Sequence, residues 1–403
     1  MSILSGKRIL LGITAGIAAY KTASLVRLLI KSGAEVQVIM TPASKDFITP
    51  LTLSTLSKNP VHSTFYEKEE ENELWNNHVD LGLWADYMLI APATANTLSK
   101  MSNGTCDNLL IATYLSAKCP VYFAPAMDLD MYIHPSTITS LERLQAFGNK
   151  MIPATSGELA SGLIGEGRMA EPQDIVSFIE NDILSTLPLK GKKVLITAGP
   201  TYESIDPVRF IGNHSSGKMG FEIAKAAANL GAEVFLITGP SNEKISHAFI
   251  HRIDVVSAEE MYVACHQQFP DVAIAILSAA VADYRPKNVV IEKIKKKDST
   301  LDIVLEPTKD ILASLGVIKK HQFLVGFALE TNNELTNALS KLEHKNLDAI
   351  VLNSLKDKGA GFAKDTNKVT FIDKEKNLVP LELKPKAEVA IDIMNEILKK
   401  IDA

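Results

Sequence analysis

The chain has 403 residues, 46% of them hydrophobic and 22% charged, with only 22 glycines and 18 prolines. This excludes a disordered, collagenous or single small-module protein and implies two or three globular domains. A formal net charge of −5 provides no field for gripping nucleic acid or an anionic membrane, so small-molecule chemistry is the default expectation. Cys106, Cys119 and Cys265 stand far apart with no CxxC pair, which fits a reducing cytoplasm and argues against a disulfide framework or a zinc site.

In chain order, residues 8–14 form a short apolar run, 17–32 carry helical spacing through Leu25, Leu28 and Leu29, and 35–40 form a second apolar run. Lys7 and Arg8 ahead of an apolar stretch superficially resemble a signal peptide, but Gly12 and Gly16 interrupt it and the pattern reads as strand, turn and helix. The longest charge-free stretch, 87–99, contains Pro92 and Asn96 and falls well short of the ~20 apolar residues a membrane helix needs. Further buried-strand candidates are 87–90, 121–124, 254–256, 272–277, 323–327 and 348–352. The βαβ order of the first 40 residues returns at 192–198, 217–230 and 233–238, where "LGAEVFLITG" echoes the earlier "SGAEVQVIMT". Two Rossmann-like three-layer α/β/α domains follow, each with a mostly parallel sheet, divided near 190 where Pro188 and Gly191 break the pattern. Ligands of such sheets sit beyond the carboxyl ends of the strands, so the loops there are where chemistry is sought.

In the first half, Gly12, Thr14 and Gly16 lie in a glycine turn that either presents N–H groups to a phosphate or is a bare tight turn. Ala91, Thr94 and Asn96, then Asp107 and Asn108, combine small residues that admit a planar ring with polar handles. His78 alone would be structural or solvated, and the acidic run 67–73 reads as a solvated loop. The glycine-rich stretch 157–169 reads as a mobile flap.

The segments "GITAGIAAYK", "NHVDL", "APATAN", "GTCDNLL", "PAMDLDM" and "GELASGLIGEGRM" occur in the order seen in flavin-dependent phosphopantothenoylcysteine decarboxylases, and the resemblance spans the whole first half. It implies FMN held by the loops at Gly12, Thr14, Gly16, Ala91, Thr94, Asn96, Asp107 and Asn108, with His78 an active-site histidine at an oligomer interface. Asp128, Met131 and Arg168 would meet the substrate. Flavin makes the chemistry reasonable: oxidising the cysteine thiol to a thioaldehyde creates an electron sink beta to the departing carboxylate. Two positions depart from the pattern. Asp128 replaces the usual asparagine and would repel a substrate carboxylate, and Ser161 stands where the flap carries a cysteine proton donor. Either Ser161 acts through water, or another donor such as Cys106 substitutes, or the reaction stops at the enethiol. The ordinary reading of Cys106 is a buried small hydrophobe.

In the second half, Ser215, Ser216 and Gly217 open a helix and supply donors for a triphosphate, although an N-terminal serine is ordinarily just a cap. The segments "GPTYESIDPVRFIGNHSSGKMG", "SAAVADYRPKN", "KIKKK" and "VGFALET", with 341–346, resemble the bacterial CTP-using phosphopantothenate-cysteine ligases. The resemblance places Asn213 beside the reacting carboxylate, Asp283, Lys293, Phe327, Lys341 and Lys345 around CTP, and Ser278, Ala279 and Ala280 near phosphopantothenate or nucleotide. Lys309, Asp310 and Ile311 stand in the family's nucleotide loop with an altered start, and Gly361-Phe362 fit its late loop. The implied reaction attacks CTP with 4'-phosphopantothenate to give an acyl-cytidylate and pyrophosphate, Mg²⁺ and lysines neutralising the phosphates, before the cysteine amine displaces CMP. No metal ligands are identifiable from the sequence. The resemblance also implies a cytoplasmic homo-oligomer, trimeric through the flavin domain and dimeric through the ligase domain, hence a dodecamer. Two rivals stand beside it: a flavin domain that halts at the enethiol, and one that is a non-catalytic regulatory module.

Overall fold

The computed structural model describes residues 2–69, 72–159, 161–295, 301–330, 332–354 and 364–401. Two compact units divide it, Met1–Ser185 and Thr186–Ala403.

In the first unit, β1 (Arg8–Ile13) is buried from its second residue onward, so it has no polar face to show and can only be an interior strand. It pairs in parallel with β2 (Glu35–Met40) on one side and β4 (Tyr87–Ala93) on the other. With β3 (Val61–His62), β5 (Val121–Pro125) and β6 (Lys150–Met151) the order is 3-2-1-4-5-6. The direction of winding reverses between β1 and β4, which opens a crevice beyond their carboxyl ends. The helical spacing expected over 17–32 is realised as a tight 3₁₀ turn, Ile17–Lys21, followed by α1 (Thr22–Lys31). Of the later helices, α2 (His78–Trp84), α3 (Ala95–Asn103) and α4 (Leu109–Ser116) matter to the site. An antiparallel hairpin of β7 (Thr155–Glu158) and β8 (Ile164–Arg168) precedes α5 (Pro172–Thr186).

The second unit repeats the plan. Strands β9 (Lys193–Ala198), β10 (Glu233–Thr238), β11 (Ile250–Asp254), β12 (Ile274–Leu277), β13 (Phe323–Glu330) and β14 (Ala349–Ser354) are parallel. Their order is 11-10-9-12-13-14, extended by antiparallel β15 (Thr366–Asp373) and β16 (Leu378–Pro385). The two-residue period of β9 sends Val194, Ile196 and Ala198 to one face, where α6 (Lys218–Asn229) and the final helix pack, and Leu195 to the other. On that second face lie α7 (Ala258–Gln268), α8 (Ile311–Ile318) and α9 (Glu334–His344), represented by Met261, Leu315 and Leu342. The final helix, α10 (Lys386–Ile401), buries Val389, Ile393, Met394 and Ile397 along one stripe. The expected strand at 254–256 is shifted: it runs Ile250–Asp254, because His251 and Arg252 are exposed on this edge strand and disguise the apolar run. No helix among the described residues is long and apolar enough to cross a membrane.

Candidate functional site

At the carboxyl ends of β1, β4 and β5 the loops enclose a cavity of about 960 Å³. Its wall carries Gly16, Thr94, Asn96, Asp107 and Asn108 from the predicted flavin loops, and Asp128, Met131, Ser161 and Arg168 from the predicted substrate loop and flap. Thr14 and Ala91 lie buried beneath that wall. The Thr14 hydroxyl donates to Pro92 O at 2.6 Å and accepts from Thr94 N at 3.2 Å, so it stitches the two loops together. Gly12 is a correction. It sits inside β1, not in the turn, and a Cβ there would meet Leu110 Cδ1 at 2.5 Å, so its glycine serves helix packing and cannot contact a phosphate.

Asn108 uses its side-chain oxygen to cap α4, accepting from Ile111 N at 3.1 Å, and its Nδ2 donates to Asp107 at 2.8 Å. Lys100 donates to the same aspartate at 2.6 Å, which holds the Asp107 carboxyl below its ordinary range. Asp128 caps the short helix Leu129–Tyr132 through Leu129 N at 2.7 Å.

Residues the sequence reading passed over complete the cavity. Lys21, only 7% exposed, donates to Met169 O at 3.0 Å and Glu171 Oε1 at 2.7 Å, and Arg168 reaches the same oxygen at 3.2 Å. The Lys21 hydrogen bond is the main reason the Glu171 carboxyl sits below its ordinary range. Met127 N donates to Gly167 O at 3.0 Å, so the base of the β7–β8 hairpin is fastened on two sides while Ser161 stands exposed near its tip. Thr41, also at the wall, has a buried hydroxyl with no partner. Its only sequence signal is a hydroxyl just past the end of β2.

Two predicted residues fall elsewhere. Cys106 is exposed and does not line the cavity, because the turn between the ends of α3 and α4 faces solvent; neither the buried reading nor the proton-donor reading fits it. His78 opens α2 away from the cavity wall, edge-on to Phe65 at 6.1 Å, and its buried Nδ1 has no partner.

In the second unit the corresponding crevice lies between β9 and β12. The Ser278 hydroxyl donates to Thr197 O at 2.6 Å, and Ala280 N donates to Gly199 O at 2.9 Å. Thr197 and Thr201, which the sequence reading missed, receive Ala279 N at 3.2 Å and Ala282 N at 2.9 Å. Asn213 Nδ2 donates to Ala280 O and Val281 O at 3.3 and 2.9 Å, joining the loop ahead of α6 to this segment. Gly217, at φ +81°, leads into α6 with Ser215 accepting from its N–H at 3.2 Å and Ser216 accepting from Lys218 N at 3.3 Å. The two hydroxyls thus brace the turn that enters α6, whose N-terminal cap position is held by Gly217 itself without a side-chain cap.

Lys341 pairs with Glu330 at 2.7 Å and Lys345 with Asp310 at 2.8 Å, beside the end of β13 that carries Phe327. Against the desolvation of burial, the Lys345 ammonium and the Ala313 N–H hold the Asp310 carboxyl low. Asp310 caps α8, which begins at Ile311. Lys309 turns to Glu259 at 2.6 Å and lies 4.6 Å from the Tyr262 ring centre. Asp283 and Lys293 are exposed. Asp206, its side chain 0% exposed, accepts from Val208 N, Arg209 N and Ile294 N at 2.8, 2.8 and 3.1 Å, so one buried carboxylate shapes the segment holding Lys293. Lys296, Lys297, Gly361 and Phe362 lie outside the described residues. Among the described residues no cluster of three or more acidic, histidine or cysteine side chains could hold a metal ion.

The family model described as Flavoprotein matches residues 2–184, and that described as DNA/pantothenate metabolism flavoprotein C-terminal domain matches 189–401. A protein named Cysteine/Cysteine sulfinic acid decarboxylase, from an unknown prokaryotic organism, is 56% identical over 87% of this chain and 99% of its own. The coenzyme A biosynthesis bifunctional protein CoaBC of Bacillus subtilis is 43% identical over 98% of this chain and 97% of its own. A solved C-terminal domain of a coenzyme A biosynthesis bifunctional protein CoaBC is 42% identical, with a TM-score of 0.46, covering 54% of this chain and 99% of that domain.

Proposed function

The chain belongs to the DNA/pantothenate metabolism flavoprotein family of bifunctional decarboxylase–ligase enzymes of coenzyme A biosynthesis, and from that premise we propose a division of labour between its units. Thr186–Ala403 condenses 4'-phosphopantothenate with cysteine at the expense of CTP. Met1–Ser185 decarboxylates the product to 4'-phosphopantetheine with FMN.

The observation that carries the reading is the cavity of about 960 Å³, where flavin-loop, substrate-loop and flap residues from distant parts of the chain converge. Its size and the unpartnered Thr41 hydroxyl at its wall fit a phosphate-bearing flavin. Gly16, Thr41, Thr94, Asn96, Asp107 and Asn108 would hold it. Bound flavin supplies a two-electron acceptor that lets the cysteine thiol pass to a thioaldehyde, from which carbon dioxide leaves easily, and then gives the electrons back. Arg168, oriented by Glu171 and Lys21, presents positive charge to the substrate's anionic group. The unpartnered Nδ1 of His78 supports its use at a contact with a second copy, within the dodecamer of flavin-domain trimers and ligase-domain dimers. In the second unit Asn213 hydrogen-bonds the oxygen that gains charge, while Lys293, Lys341 and Lys345 with Mg²⁺ neutralise CTP phosphates in a cytoplasmic setting.

The test is mass spectrometry after incubating the flavin-loaded protein with 4'-phosphopantothenate, cysteine, CTP and Mg²⁺. 4'-Phosphopantetheine is expected. Accumulated 4'-phosphopantothenoylcysteine would remove the decarboxylase half of the reading, and absence of any condensation product would remove the ligase half.

A second reading is favoured by the 56% identical relative named for cysteine and cysteine sulfinic acid, and by Asp128 at the cavity wall. A carboxylate there attracts the ammonium of an unacylated amino acid, which an amide-linked cysteine lacks. On that reading the protein releases cysteamine from cysteine alone, without CTP, and the same mass spectra would reveal it.

A further inference from the structure

Ser161 occupies the position at which a thiol donor is expected, and a serine hydroxyl is far too weak an acid for that task. The cavity narrows the search for a replacement. Among its cations, Lys21 is held by Met169 and Glu171, Arg168 by Glu171, and Lys100 by Asp107. Among its carboxylates, Asp107 is paired with Lys100 and Asp128 caps a helix through Leu129 N. Glu158 is the remaining one. It lines the cavity, ends β7 where the chain enters the turn that carries Ser161, and its exposed carboxylate has no hydrogen bond or ion pair among the described residues. Leu159 N donates to Leu163 O at 2.7 Å and Gly162 N to Leu159 O at 2.9 Å, so the turn fixes the backbone just past Glu158.

Resting on the decarboxylase reading, we propose that Glu158 is the proton-transferring catalytic residue of the flavin unit, filling the role the flap thiol would otherwise hold. The carboxylate takes the S–H proton as the thiol is oxidised and a hydride leaves its carbon for the flavin. The C–C bond to the carboxylate then breaks, its electrons pass to sulfur, and carbon dioxide departs. Glu158 returns its proton to the carbon that lost carbon dioxide, forming the new C–H bond. The hydride comes back to the sulfur-bearing carbon, and one solvent proton completes the thiol. Electrons balance internally, and the single proton consumed replaces the lost carboxylate. Because the same group takes and gives the proton, a carboxylate that starts ionised suffices.

The experiment mixes flavin-loaded protein with 4'-phosphopantothenoylcysteine without oxygen, following the yellow flavin colour and the product mass. In the unmodified protein the colour fades and recovers, and 4'-phosphopantetheine forms. In Glu158→Gln, which keeps its flavin, recovery is expected to slow on the order of 100-fold or more and a product lighter by two hydrogens to appear. Combining Glu158→Gln with Ser161→Cys is expected to restore recovery and the full product mass. Normal recovery in Glu158→Gln overturns the proposal. So does a double variant that stays bleached, since a damaged hairpin then explains the loss. Enethiol release by the unmodified protein also overturns it while leaving decarboxylation intact; no fading and no carbon dioxide at all removes the decarboxylase reading and this proposal together.

Discussion

Lys21 keeps its side chain only 7% exposed, so its ammonium must be hydrogen-bonded to be tolerated. Met169 O and Glu171 provide that, and in return the base of the flap is tied to the turn after β1. Lys21→Met is expected to lower stability by about 1–3 kcal/mol, because charged hydrogen bonds are lost and the partner carboxylate keeps only Arg168. Denaturant midpoints check this, and a loss under about 0.5 kcal/mol would mean the pair is ornamental. Nothing local announces the role: Lys21 reads as the polar end of "AAYK", and its partners are 148 and 150 positions away. Gly16, Thr94 and Ser161 were legible because glycine, hydroxyl and flap signals stand in local strings. Cys106 was misread because nothing local says which way a short turn faces.

At the scale of single elements, α8 shows how a site segment is fixed by a cap that also carries an ion pair. Asp310 accepts from Ala313 N at 2.9 Å and meets Lys345 at 2.8 Å. Its folded-state value lies below the ordinary 3.8, so its contribution is complete above that pH and disappears as pH falls through the lower folded value. Asp310→Asn keeps a good cap and removes the charge pair. Since the aspartate is half exposed, the cost at neutral pH is expected to stay under about 1 kcal/mol. Urea midpoints of variant and parent should converge well below pH 3.8; a gap that persists there would assign the effect to capping. Strand and helix periods were readable where both faces are buried, as in β1 and β9. They failed at β11, where His251 and Arg252 sit on an edge.

For the whole molecule, each unit has its own buried core and its own sheet, one of six strands and one of eight. Residues 1–185 and 186–403 expressed separately are therefore each expected to unfold cooperatively, with a sigmoidal urea transition followed by far-ultraviolet circular dichroism. A half that melts without cooperativity would show that its core is insufficient alone. The repeated βαβ beginning of each unit was legible from the echo of "SGAEVQVIMT" in "LGAEVFLITG", whereas the antiparallel β15 and β16 were not, because alternating exposure along β16 hides it among loops.

The Lys21–Glu171 fastening has a further consequence during synthesis. Its two ends are 150 positions apart, so Lys21 leaves the ribosome long before its partner exists. Closing so wide a loop must wait for the strands between to pair. A nascent chain halted before Glu171 can hold β1, β2, β4 and β5 yet lacks the clamp that anchors the cavity's flap. On the proposed assignment the residues that would hold the flavin are all made once Asn108 has been added, whereas the flap that carries Arg168 is fastened only after Glu171.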